Sequence, residues 1–173
     1  MSASCQRNDK PQVDESVWKR FKWVIPGQLA RSSSPNYMST DADQRMTPEA
    51  VSFLHANGIT NIISLNKYPL SKKEQDLLSP LITYTHIPVP DFTAPTLDQL
   101  QLANSRFIGT TLVYCGYGHG RTGTIISALQ LYSGHALTLN DYRANHVETN
   151  TQMDVLNQLK WSLERSVSLH VLY

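Results

Sequence analysis

Hydrophobic and polar positions alternate along the chain in two different periods. Short runs rich in apolar and β-branched residues predict strands at 21–25, 28–31, 59–65, 81–89 and 110–114. Segments with a helical apolar repeat predict helices at 47–57, 71–78, 96–107, 122–132, 139–144 and 149–166. Pro26 and Gly27 predict a turn between the first two strands, and therefore an edge hairpin. Because strands and helices follow one another in turn, the pattern favours an α/β sheet flanked by helices.

Residues 1–17 differ from the rest of the chain. They are polar, mixed in charge and without a hydrophobic period, whereas from Trp18 onward the composition is that of a folded domain. We therefore expect a flexible polar tail at 1–17 and a single domain at 18–173. The tail also lacks the apolar core of a cleaved secretion signal.

Charge and cysteine content exclude several function classes. The 173 residues carry 15 Lys and Arg against 14 Asp and Glu, so the net charge is +1. A chain this close to neutrality lacks the basic surface of a sequence-independent nucleic-acid binder, and no apolar run is long enough for membrane insertion. Cys5 and Cys115 are too few and too far apart for a disulfide scaffold, which favours a reducing, cytoplasmic compartment. We expect a monomer there.

The segment from Cys115 to Gly123 carries the chemistry. It reads Cys-Gly-Tyr-Gly-His-Gly-Arg-Thr-Gly and joins a predicted strand to a predicted helix. Its interleaved glycines let successive backbone N–H groups point inward at the positive end of the helix dipole. Arg121 adds a planar fork that holds two oxygens of a tetrahedral anion. We call residues 115–121 the cradle, and expect phosphate, sulfate or arsenate to bind to Gly116, Tyr117, Gly118, His119, Gly120 and Arg121.

Cys115 lies at the base of the cradle, where backbone amides, the helix N-terminus and Arg121 would stabilise its thiolate. Such a thiolate attacks phosphorus in line and forms a phosphocysteine, which water then hydrolyses. The leaving oxygen needs a proton, and Asp91 in its proline-rich loop is the predicted acid, although an aspartate there could simply cap backbone amides. Thr122 is expected to donate its hydroxyl to the sulfur. This chemistry requires no cofactor, and the histidines lack metal-ligand spacing with the cysteines, so we expect no metal.

Three segments resemble the small atypical dual-specificity members of the cysteine-dependent protein phosphatases. They lie at 23–30, 87–96 and 115–123, and the similarity extends over about 21–159. The cradle segment is highly specific, whereas the first segment alone is a weak signal. The resemblance implies a single α/β domain with a mostly parallel sheet of four to five strands between helices.

The same resemblance implies roles for individual residues. Cys115 would be the nucleophile, Arg121 the phosphate ligand and Asp91 the acid. Glu148 and Gln152 match polar positions that the family places near the pocket. Glu148 could act as a second acid or position water, and it equally suits the start of a helix.

Tyr114 departs from the family pattern, which has histidine immediately before the nucleophile. That histidine orients the cradle, and tyrosine offers only a phenol, so we expect the Cys115 thiol to be less acidic than in relatives. A relative that binds phosphate but turns it over poorly is therefore an alternative. Cys5 is expected to be inert rather than a redox partner of Cys115.

The substrate is predicted to be a phosphorylated protein or a small phosphoester. No aromatic wall of a strict phosphotyrosine enzyme is evident in the sequence, which favours dual specificity for phosphotyrosine and for phosphoserine or phosphothreonine. An inositol-phosphate or phosphoinositide phosphatase is the alternative, because Arg31 begins an Arg-Ser-Ser stretch similar to that of some such relatives. Arg31 could equally cap a turn, and residues 116–120 hold none of the lysines usual in those sites. His119 could touch substrate or face solvent.

Overall fold

The computed structural model describes residues 16–170, and the side chains as far as 167. Most of the predicted tail, residues 1–15, lies outside the described residues. Val17 and Trp18 are both buried, so the chain is already part of the core at these positions. Within the described residues, no helix combines the length and the apolar character needed to cross a membrane.

Five strands and six helices form the fold, in an α/β arrangement. The strands are β1 Lys22–Ile25, β2 Leu29–Ser33, β3 Asn61–Ser64, β4 Thr83–His86 and β5 Thr111–Cys115. The helices are α1 Pro48–Ala56, α2 Lys72–Leu78, α3 Leu97–Ser105, α4 Gly120–Tyr132, α5 Leu139–Ala144 and α6 Asn150–His170. The sheet order is β1-β2-β5-β3-β4, and only the β1–β2 hairpin is antiparallel. The single α/β domain with a mostly parallel sheet is confirmed.

Strand β5 lies in the middle of the sheet and is buried along its whole length. It pairs in parallel with β2 on one side and β3 on the other, so that Cys115 faces Ser33 and Tyr114 faces Ser64 in register. Parallel strands bring their carboxyl ends to one edge, which is where open α/β sheets bind ligands. The cradle therefore begins at the centre of that edge.

The two faces of the sheet carry separate hydrophobic cores. On one face Tyr114 and its neighbours pack with α1 and α2, and on the other Cys115 belongs to the core that includes α3, α4, α5 and α6. Successive side chains of a strand point to opposite faces, so Tyr114 and Cys115 are separated by the sheet itself. Helices on both faces are confirmed.

Capping residues fix the helix starts that the sequence predicts. Thr47 accepts a hydrogen bond from the Ala50 amide before α1, and Pro48 occupies the first helical position. Ser71 and Glu74 form a reciprocal capping box at α2. The same device recurs at the starts of α3 and α5, so these boundaries follow from local sequence.

Several predicted elements differ from the structure in length, and for β4 and α4 the reason is evident. The strand predicted at 81–89 is regular only over β4, although the Ile87 amide still donates to Ser64 at the end of β3 and the Val89 amide to Leu65 just after it. Pro88 and Pro90 have no N–H to donate, which interrupts the ladder. Helix α4 begins at Gly120 rather than at Thr122, because its first turn forms inside the cradle, where the Gly123 amide donates to the His119 carbonyl at 2.7 Å.

Candidate active site

The cradle wraps around the Cys115 sulfur. Cys115 is 3 % exposed at the end of β5, and the Gly118 amide donates to its Sγ at 3.2 Å. Gly118 has a φ of +94°, and a Cβ there would lie 2.5 Å from the Ser32 carbonyl oxygen. Only glycine fits this position, because both the left-handed backbone and the close approach to β2 exclude a side chain.

Arg31 supports the cradle on the side away from the cleft. It lies on β2, is 5 % exposed, and donates from Nη2 to the Gly118 carbonyl at 2.7 Å and from Nη1 to the Asn145 carbonyl at 2.6 Å. Burial lowers the pKa of Arg31 to about 10, although the nearby Cys115 and Glu148 act to raise it. Arg31 therefore stays charged at neutral pH. Arg31 does not line the cleft, and the structure gives it contacts with backbone carbonyls.

Arg121 is held at the start of α4 by three hydrogen bonds and a further ion pair. Its Nη1 donates to the Val89 and Leu65 carbonyls at 2.9 and 3.3 Å. Its Nη2 lies 2.7 Å from Asp41 Oδ1 and 2.9 Å from Asp91 Oδ1. Burial alone would lower the pKa of Arg121, but the hydrogen bond to Asp41 and the nearby acidic groups raise it above its usual value.

Asp91 extends over the cleft from the loop at 88–95, which we call the acid loop. Its side chain is 50 % exposed and accepts from the Phe92 amide at 3.0 Å, while Phe92 has a φ of +60°. The Gln99 side chain donates to the Pro88 carbonyl at 2.8 Å at one end of the loop. The structure therefore brings Asp91 and Arg121 together at the cleft.

Gln152 fastens the other end of the acid loop to α6. It is 1 % exposed, and its Nε2 donates to the Thr93 carbonyl at 3.1 Å. Its Oε1 accepts from the amides of Glu148 and Thr149, which lie before the helix. Gln152 thus forms hydrogen bonds both with the backbone of the acid loop and with the backbone just before α6.

His119 forms part of a ring cluster at the cleft. It stacks on His146 with centroids 4.0 Å apart and planes at 4°, and Tyr117 meets it edge-on at 4.8 Å. Burial, followed by the charges of His146, Arg31 and Arg20, lowers the pKa of His119 to about 4. The imidazole is therefore neutral at pH 7, although the Glu148 carboxylate lies 4.0 Å from its Nδ1.

Aromatic side chains line the mouth of the cleft, which has a volume of about 480 Å³. They are Tyr37, Phe92 and Tyr117, and the rings of Tyr37 and Tyr117 meet edge to face at 6.0 Å. The Arg20 guanidinium lies 3.6 Å from the Tyr117 centroid and donates from Nε to the Tyr117 carbonyl at 2.7 Å. The cation–π contact and the hydrogen bond together fix this wall of the cleft.

Comparison with known proteins now identifies the family. The family model for the Swiss Army Knife protein DSP-PTPase phosphatase domain matches residues 18–167. The chain belongs to this family. No match is found among curated proteins.

Solved structures agree with this assignment of a phosphatase domain. Tk-PTP in its active form is 29 % identical, with a TM-score of 0.61 over 83 % of this chain and 97 % of that one. Two more distant structures share the fold. DUSP15 is 23 % identical, with a TM-score of 0.60 over 84 % of this chain and 90 % of its own. The core catalytic domain of the PP-IP phosphatase SIW14 from S. cerevisiae is 19 % identical, with a TM-score of 0.60 over 84 % and 91 %.

Two residues of the phosphatase domain have surroundings that the sequence did not reveal. The Thr122 hydroxyl is buried and makes no hydrogen bond within residues 16–170, to Cys115 or to any other group. Tyr114 is fully buried, and its hydroxyl donates to Gln44 Oε1 at 3.2 Å on the far side of the sheet. Burial raises the pKa of Tyr114 well above its usual value, so it remains a neutral phenol.

The loop at 34–46 forms one wall of the cleft, and the sequence patterns did not predict this. This loop has no apolar period and lies between the strand predicted at 28–31 and the helix predicted at 47–57, yet it supplies Tyr37, Ser39, Thr40 and Asp41 to the cleft. Asp41 approaches Arg121 from 80 positions away in sequence. In the part of the chain that the structure describes, no group of three or more histidine, cysteine or acidic residues could hold a metal ion.

Proposed function

We propose that this DSP-PTPase domain hydrolyses phosphomonoesters through a phosphocysteine intermediate. The observation that carries the proposal is the convergence of three groups in one cleft. Cys115 Sγ accepts from a cradle amide at 3.2 Å, and the Asp91 carboxylate lies 2.9 Å from the Arg121 guanidinium. A nucleophile, an oxyanion ligand and an acid on a separate loop are the parts that such a displacement needs.

In the first step the Cys115 thiolate attacks phosphorus opposite the ester oxygen. The S–P bond forms as the P–O bond breaks, and Asp91 gives its proton to the departing oxygen. The cradle amides and Arg121 stabilise the three equatorial oxygens, because they point where charge develops in the transition state.

In the second step water attacks the phosphorus of the phosphocysteine. The Asp91 carboxylate takes a proton from the water, the P–S bond breaks and the Cys115 thiolate is released with inorganic phosphate. The Thr122 hydroxyl donates to the sulfur as negative charge returns to it. Support for this role is that the hydroxyl is buried with no hydrogen-bond partner within residues 16–170.

The proposed substrates are phosphorylated proteins, with activity on phosphotyrosine as well as on phosphoserine and phosphothreonine. Aromatic side chains at the mouth would pack against a phosphotyrosine ring, and the open cleft admits shorter side chains. The absence of lysine at 116–120 argues against a highly charged inositol phosphate. A cytoplasmic location, a monomeric state and a flexible tail at 1–17 stay predictions from composition.

The test is hydrolysis of para-nitrophenyl phosphate from pH 5 to 8 by the wild type, Cys115→Ser and Asp91→Asn. We expect no turnover by Cys115→Ser, and a weak Asp91→Asn activity without the alkaline decline. Two peptides of one sequence, carrying phosphotyrosine or phosphothreonine, and an inositol phosphate then rank the substrates. Activity of Cys115→Ser equal to the wild type would refute the mechanism. A wild type that turns nothing over, while vanadate still protects Cys115 from alkylation, would identify a phosphate-binding protein instead.

A further inference from the structure

Asp41 is bound on both sides of its carboxylate. Its Oδ1 lies 2.7 Å from Arg121 Nη2, and its Oδ2 accepts from the Lys67 amide at 2.7 Å. The Asn66 side chain also donates to the Asp41 carbonyl at 2.8 Å. With a side chain only 14 % exposed, Asp41 joins the loop at 34–46 to the segment after β3 and to α4.

The packing around Asp41 leaves it little room to move. A Cβ on Gly116 would lie 2.9 Å from Asp41 Oδ1 and 3.2 Å from its Cα, so a side chain on Gly116 would crowd Asp41. Farther along the same loop, Gln44 accepts from the Tyr114 hydroxyl at 3.2 Å and donates to the Tyr68 carbonyl at 2.6 Å. These hydrogen bonds fix the loop against the sheet on the C-terminal side of Asp41.

Asp91 contacts the same nitrogen of Arg121 but is held far more weakly. Its side chain is 50 % exposed, against 14 % for Asp41. It accepts a hydrogen bond from the amide of its own neighbour, Phe92, on an exposed loop. A surface ion pair of this kind contributes little, whereas a buried, doubly bonded carboxylate is costly to displace.

A phosphate bound to Arg121 would compete with Asp91 for the positive charge at Nη2. A guanidinium has five N–H donors. Arg121 donates from Nη1 to two carbonyls and from Nη2 to Asp41, whereas Asp91 meets Nη2 as an ion pair at 2.9 Å. A bidentate grip on an oxyanion uses two donors along one edge, such as Nε and one hydrogen of Nη2. The phosphate would then repel the Asp91 carboxylate from Nη2, while Asp41 keeps its hydrogen bond.

We propose that Asp41 is a positioning residue that permanently orients Arg121, and that substrate phosphate takes the place of Asp91 on Nη2. This inference rests on the proposed function, since it assigns the two aspartates different parts in one phosphoryl transfer. Displacement frees the Asp91 carboxyl to move to the ester oxygen, while Asp41 keeps the guanidinium plane aligned with the cradle amides.

The experiment separates the two aspartates by oxyanion affinity and by turnover. Para-nitrophenyl phosphate gives kcat and KM, and protection of Cys115 from iodoacetamide gives the affinity for vanadate without turnover. For Asp41→Ala we expect kcat/KM to fall by about 100-fold and vanadate protection to weaken by about tenfold, since Arg121 loses its alignment. For Asp91→Asn we expect kcat to fall while vanadate protection stays equal to that of the wild type or becomes tighter.

Asp43→Asn is the matched control. It removes a charge from the same loop, and its amide oxygen can still accept from the Ser39 and Thr40 amides that Asp43 now holds at 2.7 and 2.6 Å. Its kcat/KM and vanadate protection should equal those of the wild type. Asp41→Asn keeps an acceptor for Arg121 and should retain more vanadate affinity than Asp41→Ala.

Three results would overturn the assignment to Asp41. They are unchanged vanadate protection in Asp41→Ala, equal losses in Asp41→Ala and Asp43→Asn with matching falls in melting temperature, and weaker protection in Asp91→Asn than in Asp41→Ala. If the wild type proves inactive on every phosphoester, the proposed function fails. The protection assay still decides whether Asp41 aligns Arg121.

Discussion

Arg31 and Gly118 meet beneath the cradle, where the guanidinium Nη2 lies 2.7 Å from the glycine carbonyl oxygen. This contact connects β2 to the middle of the anion-binding turn across 87 positions of sequence. In a planar trans peptide the N–H points opposite to the C=O, so the His119 amide of the same peptide points away from Arg31. Arg31 therefore supports the shape of the cradle from the side away from substrate.

Arg31→Met should lower both stability and activity. It removes two hydrogen bonds from a buried charged group, each of which contributes about 1.5–3 kcal/mol to the free energy of unfolding. Urea unfolding and kcat/KM measure the two effects. Arg143→Met, at an exposed position of α5, is the control and should change neither. Equal behaviour of the two variants would contradict a supporting role for Arg31.

The stability of the domain should fall as the pH is lowered from about 6.5 to about 4. The pKa of His119 is about 4 in the folded state, against about 6.5 in an unfolded chain. Between these values the unfolded state binds a proton that the folded state does not, so acid favours unfolding. His146, whose pKa is also lowered, chiefly by burial, acts in the same direction.

Urea unfolding of the wild type and His119→Gln at pH 5, 6 and 7 measures this dependence. The variant should show a flatter profile of stability against pH. It lacks the imidazole that burial and the charges of His146, Arg31 and Arg20 keep neutral in the folded state. His135→Gln, at an exposed histidine, should keep the wild-type slope. A His119→Gln profile as steep as that of the wild type would show that other groups produce the acid sensitivity.

Gln152→Met should lower kcat more than it weakens vanadate protection of Cys115. The variant loses the bond to the Thr93 carbonyl, so the acid loop moves more freely while the cradle keeps its own contacts. Each lost neutral hydrogen bond also costs about 1 kcal/mol of stability. Steady-state kinetics and the protection assay measure the two effects. Gln158→Met, at an exposed position of α6, is the control; equal losses of kcat and protection in Gln152→Met would count against the loop role.

Tyr114→Phe should cost about 1 kcal/mol of stability and leave the reactivity of Cys115 unchanged. The variant loses the hydroxyl bond to Gln44 but keeps the buried ring, which packs against Trp18 with centroids 5.8 Å apart. Cys115 lies on the other face of the sheet. Rates of iodoacetamide alkylation at several pH values provide the measurement, and a clear shift in that profile would show that the phenol influences the thiol.

Local sequence was enough for most of the fold because its signals lie within a few residues of one another. Thr47 and Pro48 mark the start of α1, and Pro26 and Gly27 mark the first hairpin, whose pairing is confirmed. The cradle was equally evident, since its glycines and Arg121 are contiguous with Cys115. The catalytic roles assigned to Cys115, Arg121 and Asp91 stay predictions.

Contacts made over long sequence distances could not be predicted in the same way. Asp41 lies in a loop without any period, and its partner Arg121 is 80 positions away. Arg31 was considered either as a substrate contact or as a turn cap, whereas the structure places its guanidinium on two carbonyls of distant segments. In both cases the fold, rather than the neighbouring sequence, supplies the partner.

The ion pair of Asp91 with Arg121 also bears on which solutes compete for the cleft. An arginine that already faces two carboxylates has little net attraction for a monovalent anion such as chloride or bicarbonate, which would have to displace Asp91 with a single charge. A doubly charged oxyanion offsets the cost of displacing Asp91, because it also accepts hydrogen bonds from the cradle amides. The ligand-free site should therefore bind doubly charged oxyanions in preference to monovalent anions. Chloride and bicarbonate salts should inhibit it only weakly.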